Sequence, residues 1–344
     1  MRRGSASANF LASQTCVRRH SRLKPQSCGS CESDIPLPQP EKRPGPNEPC
    51  WCGSRRKYKQ CHRPIDDVPP ERKYAESQRV YASNWRVTSE LQYKRGDYRW
   101  MAQQLKSYNV HRVLDVGCGS GHGVLSMIEE LGSDLRVVAI DENPYCLTTA
   151  RETLRAAKVG DAEVMRRVNT VANHNGFHSA AEPFKEPLPK PIALVEADIC
   201  SDSYLRSALN QDGPFDAVTV WLSGVHMYRQ FNEIVVGAGV NSDTMHRLFV
   251  QNSVYELADQ VLRLGGVLQV VDRGETPATA LLQSDILRSH REQAGPTTLD
   301  VRTLAHAPWT PPETRRVPMV LTPGTTGRLP GKDTAMFSVI SVKT

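Results

Sequence analysis

The chain contains Val113-Leu114-Asp115-Val116-Gly117-Cys118-Gly119-Ser120-Gly121-His122-Gly123, followed by Val124-Leu125-Ser126-Met127-Ile128. The apolar positions Val113, Leu114 and Val116 read as a strand of a buried parallel sheet. A glycine-dense turn comes next, and then a helix opens. Strand, glycine turn and helix together make the nucleoside- or phosphate-binding corner of a doubly wound α/β sheet. Gly117 and Gly119 carry no Cβ, so the chain can turn tightly there and a ligand can lie against its backbone. A dinucleotide fingerprint, G-x-G-x-x-G, fails in both registers: its sixth residue is His122 counted from Gly117 and Val124 counted from Gly119. The run is D-x-G-x-G-x-G, with Asp115 two residues ahead of the first glycine.

The chain downstream of this loop keeps to one plan. Leu135-Arg136-Val137-Val138-Ala139-Ile140 is a β-rich run ended by Asp141, with Glu142 and Asn143 beside it. An acid at the end of the second strand hydrogen-bonds ribose hydroxyls in Rossmann-like sheets. Ile192-Ala193-Leu194-Val195 runs into Glu196-Ala197-Asp198-Ile199, and Phe215-Asp216-Ala217-Val218-Thr219-Val220-Trp221 forms a fourth strand. Gly266-Val267-Leu268-Gln269-Val270-Val271 forms a fifth, after a helix read as ending at Leu262-Arg263-Leu264-Gly265. With these signals in this order, the chain from about 109 to 344 resembles the class I S-adenosylmethionine (SAM)-dependent methyltransferases. The resemblance implies a Rossmann-like seven-stranded sheet with helices on both faces, and SAM as cofactor. It places Asp115 and the loop residues Gly117, Cys118, Gly119 and Gly121 against the methionine part of SAM. It gives Asp141 to the ribose, with Glu142 beside it among the cofactor-binding residues, and Asp198 and Ile199 to the adenine, with Trp221 at the strand end that faces the transferred methyl. Taken alone, each acid is as readily a solvated strand end or a helix cap.

A second motif lies upstream, in Asn47-Glu48-Pro49-Cys50-Trp51-Cys52-Gly53-Ser54-Arg55-Arg56-Lys57-Tyr58-Lys59-Gln60-Cys61-His62. Cys50, Cys52, Cys61 and His62 supply a C-x-C-x8-C-H set, the four soft or borderline ligands of a closed tetrahedral Zn2+ site. With every position filled by protein, the zinc is structural, and in so small a module its binding is the folding energy. The run resembles the SEC-C motif, departing from it where Trp51 stands in place of a common proline and Arg55-Arg56 in place of Gly-Lys. Such modules bind protein surfaces, so a protein partner is favoured over nucleic acid. The interleaving of Arg55, Arg56, Lys57 and Lys59 with Trp51 and Tyr58 keeps phosphate contact plus base stacking in view.

The chain of 344 residues has room for one α/β domain and a small module. The organisation expected is a basic disordered tail at 1–46, a knuckle at 47–63, a helical extension or lid at 71–108 and the methyltransferase domain at 109–344. Residues 1–62 hold 12 Lys/Arg against 4 Asp/Glu, a net of +8, while the whole chain is +6, so the rest carries about −2. The positive charge therefore belongs to the tail and knuckle. The nine cysteines are an odd count, and three serve the zinc site, a reducing-compartment pattern. No apolar run approaches the roughly 18 residues of a membrane span. A cytoplasmic protein is expected; the alternative is mitochondrial, because the first acid is Glu32 and Arg2, Arg3, Arg18, Arg19 and Arg22 precede it. Cys28 and Cys31 read as free thiols in that tail.

Between knuckle and glycine loop, Tyr81, Trp85, Leu91, Tyr93, Trp100, Met101 and Leu105 are spaced as on amphipathic helices, mostly as packing faces. Residues 159–191 read as a helix end and an irregular Pro-rich insertion, with His174 and His178 not expected to hold metal. Residues 276–292 read as a helix. Residues 316–321 and 335–342 read as the antiparallel pair that closes the sheet. After the fourth strand, His226 is the candidate general base, a loop residue being the plain alternative. No Asn-Pro-Pro-Tyr run stands there, which argues against the amino-methyltransferases that act on adenine or glutamine and leaves small molecules, proteins and other RNA atoms as methyl acceptors. A competing function is a non-catalytic SAM-binding or knuckle-based adaptor.

Overall fold

The computed structural model describes residues 43–50, 56–160, 162–173, 176–310 and 334–344. Its centre is β1 (Arg112–Val116), whose residues Val113 to Val116 are all buried. Both neighbours are parallel to it: β2 (Arg136–Asp141) on one side and β7 (Phe215–Trp221) on the other. β6 (Ile192–Glu196) and β3 (Ala162–Met165) extend the sheet beyond β2, and β8 (Leu262–Glu275) extends it beyond β7, all in parallel. β10 (Thr334–Lys343) lies antiparallel on β8, and β9 (Leu299–Pro308) lies antiparallel on β10. The order is β3-β6-β2-β1-β7-β8-β10-β9.

The helices cover both faces, as a parallel sheet requires. On one face α3 (Asp97–Gln103), α4 (His122–Leu131) and α5 (Pro144–Ala156) bury Met101, Val124, Met127, Leu147 and Leu154 against Val113, Val137 and Ala139. On the other, α6 (Leu205–Asp212), α8 (Asp243–Val261) and α9 (Ala280–Ala294) pack Leu209, Val254, Tyr255 and Ile286 against Leu114, Val138 and Val218. Upstream, α1 (Arg63–Asp66) leads into α2 (Pro70–Arg95), a 26-residue helix ended by Gly96 at φ 83°.

Four expectations change. The sheet has eight strands, not seven, because β3 adds a parallel edge beyond β6. The stretch read as irregular holds that strand and a separate hairpin, β4 (Val168–Asn173) with β5 (Gly176–Ala181), whose exposed polar residues and one solvated face weaken the apolar signal. The closing pair is β9 with β10; residues 316–321 lie outside the described part. Leu262 opens β8 instead of ending a helix, since α8 stops at Val261. No helix among the described residues is long and apolar enough to cross a membrane.

Candidate active site and metal centre

Because β1, β2, β6, β7 and β8 run in parallel, their carboxyl ends meet along one edge, where open α/β sheets bind ligands. An open cleft lies there. Its floor is made by the loop after β1. Gly117, Gly119 and Gly121 have φ of 78°, 54° and 80°, left-handed values that a side chain resists. The loop is tied to the end of β2 twice: Gly117 N–H donates to the Ile140 carbonyl (2.8 Å), and Gly119 N–H donates to Asp141 Oδ2 (2.8 Å). Asp141 Oδ1 also accepts from Asn143 N–H (2.8 Å), and the Asn143 side chain caps α5 through Tyr145 N–H.

Among the described lining residues are Gly117, Gly119, Asp141, Glu142, Asp198, Ile199, Trp221 and His226. Asp115, Cys118 and Gly121 are not in that lining. Asp115 is buried beneath it and accepts from Thr219 Oγ1 at 2.7 Å. Cys118 is a buried thiol, held neutral by burial and by Asp141. Gly121 serves packing: a Cβ there would lie 2.9 Å from Ala150 Cα on α5. The Trp221 indole N–H is committed to Gln269 Oε1 (3.0 Å), and its ring stacks on Tyr98. The early acid of the fourth strand, Asp216, stands at the opposite edge of the sheet, accepting the backbone N–H groups of His111 and Arg112.

Burial sets the electrostatics. Desolvation raises Asp115 to about 6, opposed only by the Thr219 bond. Asp141 rises to about 7 by burial, against the two backbone N–H groups it accepts. For Glu142 burial also acts upward, but His226 and Arg229 outweigh it and bring the carboxyl down to about 2. Its contact with His226 Nε2 is 3.2 Å, and the other ring nitrogen of His226 meets Ser77 Oγ at 3.1 Å. Of the expected base's nitrogens, Nδ1 is hydrogen-bonded to Ser77, while Nε2 faces the Glu142 carboxylate without a hydrogen bond of good geometry. Asp198 accepts Cys200 N–H (3.0 Å), Ser201 Oγ–H (2.8 Å) and Arg229 Nη2 (2.6 Å).

The roof is α2. Tyr74, Ser77, Gln78, Tyr81 and Trp85 recur at helical spacing on one face. Tyr81 stacks on Trp85, and the Trp85 indole sits on the Gly119 backbone so closely that any Cβ there would strike it. Tyr74 O–H and Gln78 Nε2 reach Glu142 at 3.3 and 3.4 Å. Sequence reasoning treated these aromatics mainly as packing; the roof and the packing face are the same stripe. It missed Arg229 and His246, which complete the wall and carry no motif signal.

Upstream of α1, Cys50, Cys61 and His62 are buried with ligand atoms all within 4.8 Å of one another. Cys50 Sγ and Cys61 Sγ lie 3.0 and 3.4 Å from His62 Nδ1. Two such ligands on a tetrahedral Zn2+ stand about 3.5 Å apart, so the donor set fits that ion. The fourth expected ligand, Cys52, lies outside the described residues, as does His174. A Cys50 N–H bond to the Arg56 carbonyl (2.7 Å) closes the knuckle on itself, a Tyr58 O–H bond to Asp66 Oδ2 (2.8 Å) holds it to α1, and the Arg56 side chain bonds Asn84 on α2. His178 pairs with Glu233 at the surface.

Comparison with known proteins adds two family matches: residues 47–64 match the SEC-C motif, and residues 109–175 match a methyltransferase domain. A methionine aminopeptidase of Chlamydia pneumoniae is 35% identical over 95 residues, covering 26% of this chain and 28% of that protein. The chain thus spans little more than a quarter of that relative's length. Among solved structures, an O-methyltransferase from Bacillus cereus in complex with SAH is 11% identical (TM-score 0.36, covering 72% of this chain and 80% of that one). The O-methyltransferase TomG from Streptomyces achromogenes in complex with SAM is 13% identical (TM-score 0.37, 72% and 80%). A putative sarcosine dimethylglycine methyltransferase from Galdieria sulphuraria is 11% identical (TM-score 0.39, 72% and 85%). The family matches thus fall on the knuckle before α1 and, further downstream, on the segment from β1 and its glycine loop to the β4 strand, where the chain is similar to a methyltransferase domain.

Proposed function

We propose that this chain transfers a methyl group from SAM to an acceptor molecule, and that its zinc knuckle recruits or orients that acceptor or a protein partner. The observation that carries the reading is the row of acids along the carboxyl edge: Asp141, Glu142 and Asp198 line one cleft, with Asp115 buried under its glycine floor. That row offers carboxylates to hydroxyl, amine and ammonium groups, and its negative charge opposes a diphosphate. Asp141 and Glu142 hold the ribose, Asp198 and Ile199 meet the adenine, and Asp115 supports the methionine end through the loop. When bound, SAM supplies an electrophilic methyl on a sulfonium with a good leaving group.

The chain's own contribution is then positioning and exclusion of water. Trp85 and Tyr81 close the glycine loop from above and present aromatic faces to a cationic ligand. His226 is a positioning residue: it holds Glu142 in place and keeps it ionised. Cys50, Cys61 and His62, with Cys52, hold structural zinc. The acceptor is a small molecule, a protein or an RNA.

A thermal-shift series tests the reading. S-adenosylhomocysteine (SAH) at about 100 times its Kd stabilises the fold by roughly 2.7 kcal/mol, and NAD does not. Stabilisation by NAD with none by SAH would overturn it.

A further inference from the structure

Arg229 is the least explained group in the cleft wall. It is 2% exposed and lines the cleft, yet only Nη2 has a partner, Asp198. Nε and Nη1 are buried with no hydrogen-bond partner. Beside it on the same wall, one turn before Val250, His246 is 7% exposed and its Nε2 is also unpartnered. A buried N–H without an acceptor is costly, so these donors imply ligand atoms that satisfy them.

Charge decides the kind of atom. An anionic ligand at Arg229 would face Asp198, which lies 2.6 Å from the guanidinium, and the Glu142 charge, with one guanidinium against two carboxylates. A neutral acceptor meets no such opposition. Asp198 beside Arg229 therefore presents a carboxylate that accepts next to N–H groups that donate, without a free charge. The complement is a neutral heterocycle edge with an amine beside a ring nitrogen. Burial and the Arg229 charge push His246 down to about 4, so its ring is neutral and adds a polar contact without altering that balance.

Resting on the SAM reading above, we propose that Arg229 is a specificity-determining residue of the cofactor site: while Asp198 accepts from the adenine amine, the unpartnered Arg229 N–H groups donate to an adenine ring nitrogen, with His246 and Val250 closing the pocket around the base. The selectivity for adenine then resides in the Asp198–Arg229 pair and not in Asp198 alone.

The test is a calorimetric titration of the full chain with SAH and its 1-deaza, 3-deaza and 7-deaza analogues, each of which replaces one ring nitrogen by C–H. A hydrogen bond from a charged donor is worth about ten- to a hundredfold in affinity. At least one analogue should bind wild type ten or more times more weakly than SAH. Arg229→Lys keeps a cation opposite Asp198, so folding is spared, but its ammonium stops short of the base. In that variant the penalty for the same analogue should shrink below about threefold. If wild type binds all three analogues as tightly as SAH, the inference is overturned and the cofactor reading stands. If the penalty persists in Arg229→Lys, another group reads the ring and the inference is again overturned. If wild type binds neither SAH nor its analogues, the cofactor reading itself fails.

Discussion

Asp115 holds a carboxyl in a place that penalises its charge, and the penalty is measurable. Burial raises it from the usual 3.8 to about 6, and the Thr219 bond only partly opposes that. The folded state therefore holds the proton more tightly than the unfolded chain does. At low pH both states are protonated and there is no penalty. As pH rises through 3.8 the unfolded chain ionises first, and the penalty grows until the pH passes about 6. At 1.36 kcal/mol per pH unit, the plateau is about 3 kcal/mol, of which about 1.6 is already present at pH 5. Asp115→Asn removes the ionisation. Its amide also brings buried N–H groups whose cost does not vary with pH, so the pH dependence carries the argument. Relative to wild type, Asp115→Asn should gain about 1.4 kcal/mol of stability between pH 5 and pH 8. Relief of Asp141, which feels the Asp115 charge, adds in the same direction. Urea melts of both proteins at the two pH values, with equal m-values, give the difference directly. A variant whose stability relative to wild type is flat over that range, or falls, would refute the desolvation account. The same substitution removes the buried carboxylate proposed for the cofactor's ammonium end, so the variant should also bind SAH more weakly.

Gly121→Ala should cost about 2–5 kcal/mol in urea unfolding: about 1–2 for the left-handed backbone and about 1–3 for a Cβ against the α5 backbone, neither of which can relax cheaply. A loss below 1 kcal/mol would contradict the packing role. Glu142→Gln should destabilise the protein by about 2–3 kcal/mol at pH 7. Because the folded carboxyl is depressed to about 2, the loss should shrink as pH falls through its ordinary 4.5, and a loss that stays constant down to pH 3 would argue against the His226 pair as its source. Purified protein should contain one zinc per chain by elemental mass spectrometry. Chelation should expose Tyr58 and α1 to hydrogen exchange, while metal-free protein with an unchanged exchange pattern would remove zinc as the knuckle's source of folding energy.

The glycine loop, its strand and the acids downstream were legible because each needs a residue type at a fixed place: no Cβ where φ is positive, a carboxylate where a parallel strand ends. Asp141 and Asp198 accordingly stand at the cleft. β9 was not legible, because as the outer strand of its pair it is only partly buried, and Leu299, Asp300, Val301 and Arg302 alternate too briefly to separate it from a loop. The hairpin β4–β5 escaped for a similar reason, with Val171 exposed where a core strand would bury it. Among site residues, His226 was picked for its intrinsic pKa, but which partners occupy its nitrogens is a tertiary fact. Arg229 and His246 reach the cleft only through the path of the chain after β7, which no local pattern encodes.

The central claim, that this cleft binds SAM, is tested most directly by calorimetric titration of zinc-loaded protein with SAH, with Asp115→Ala as control. The account predicts one site per chain in wild type and at least tenfold weaker binding in the folded control. Folded wild-type protein that takes up no SAH would contradict it.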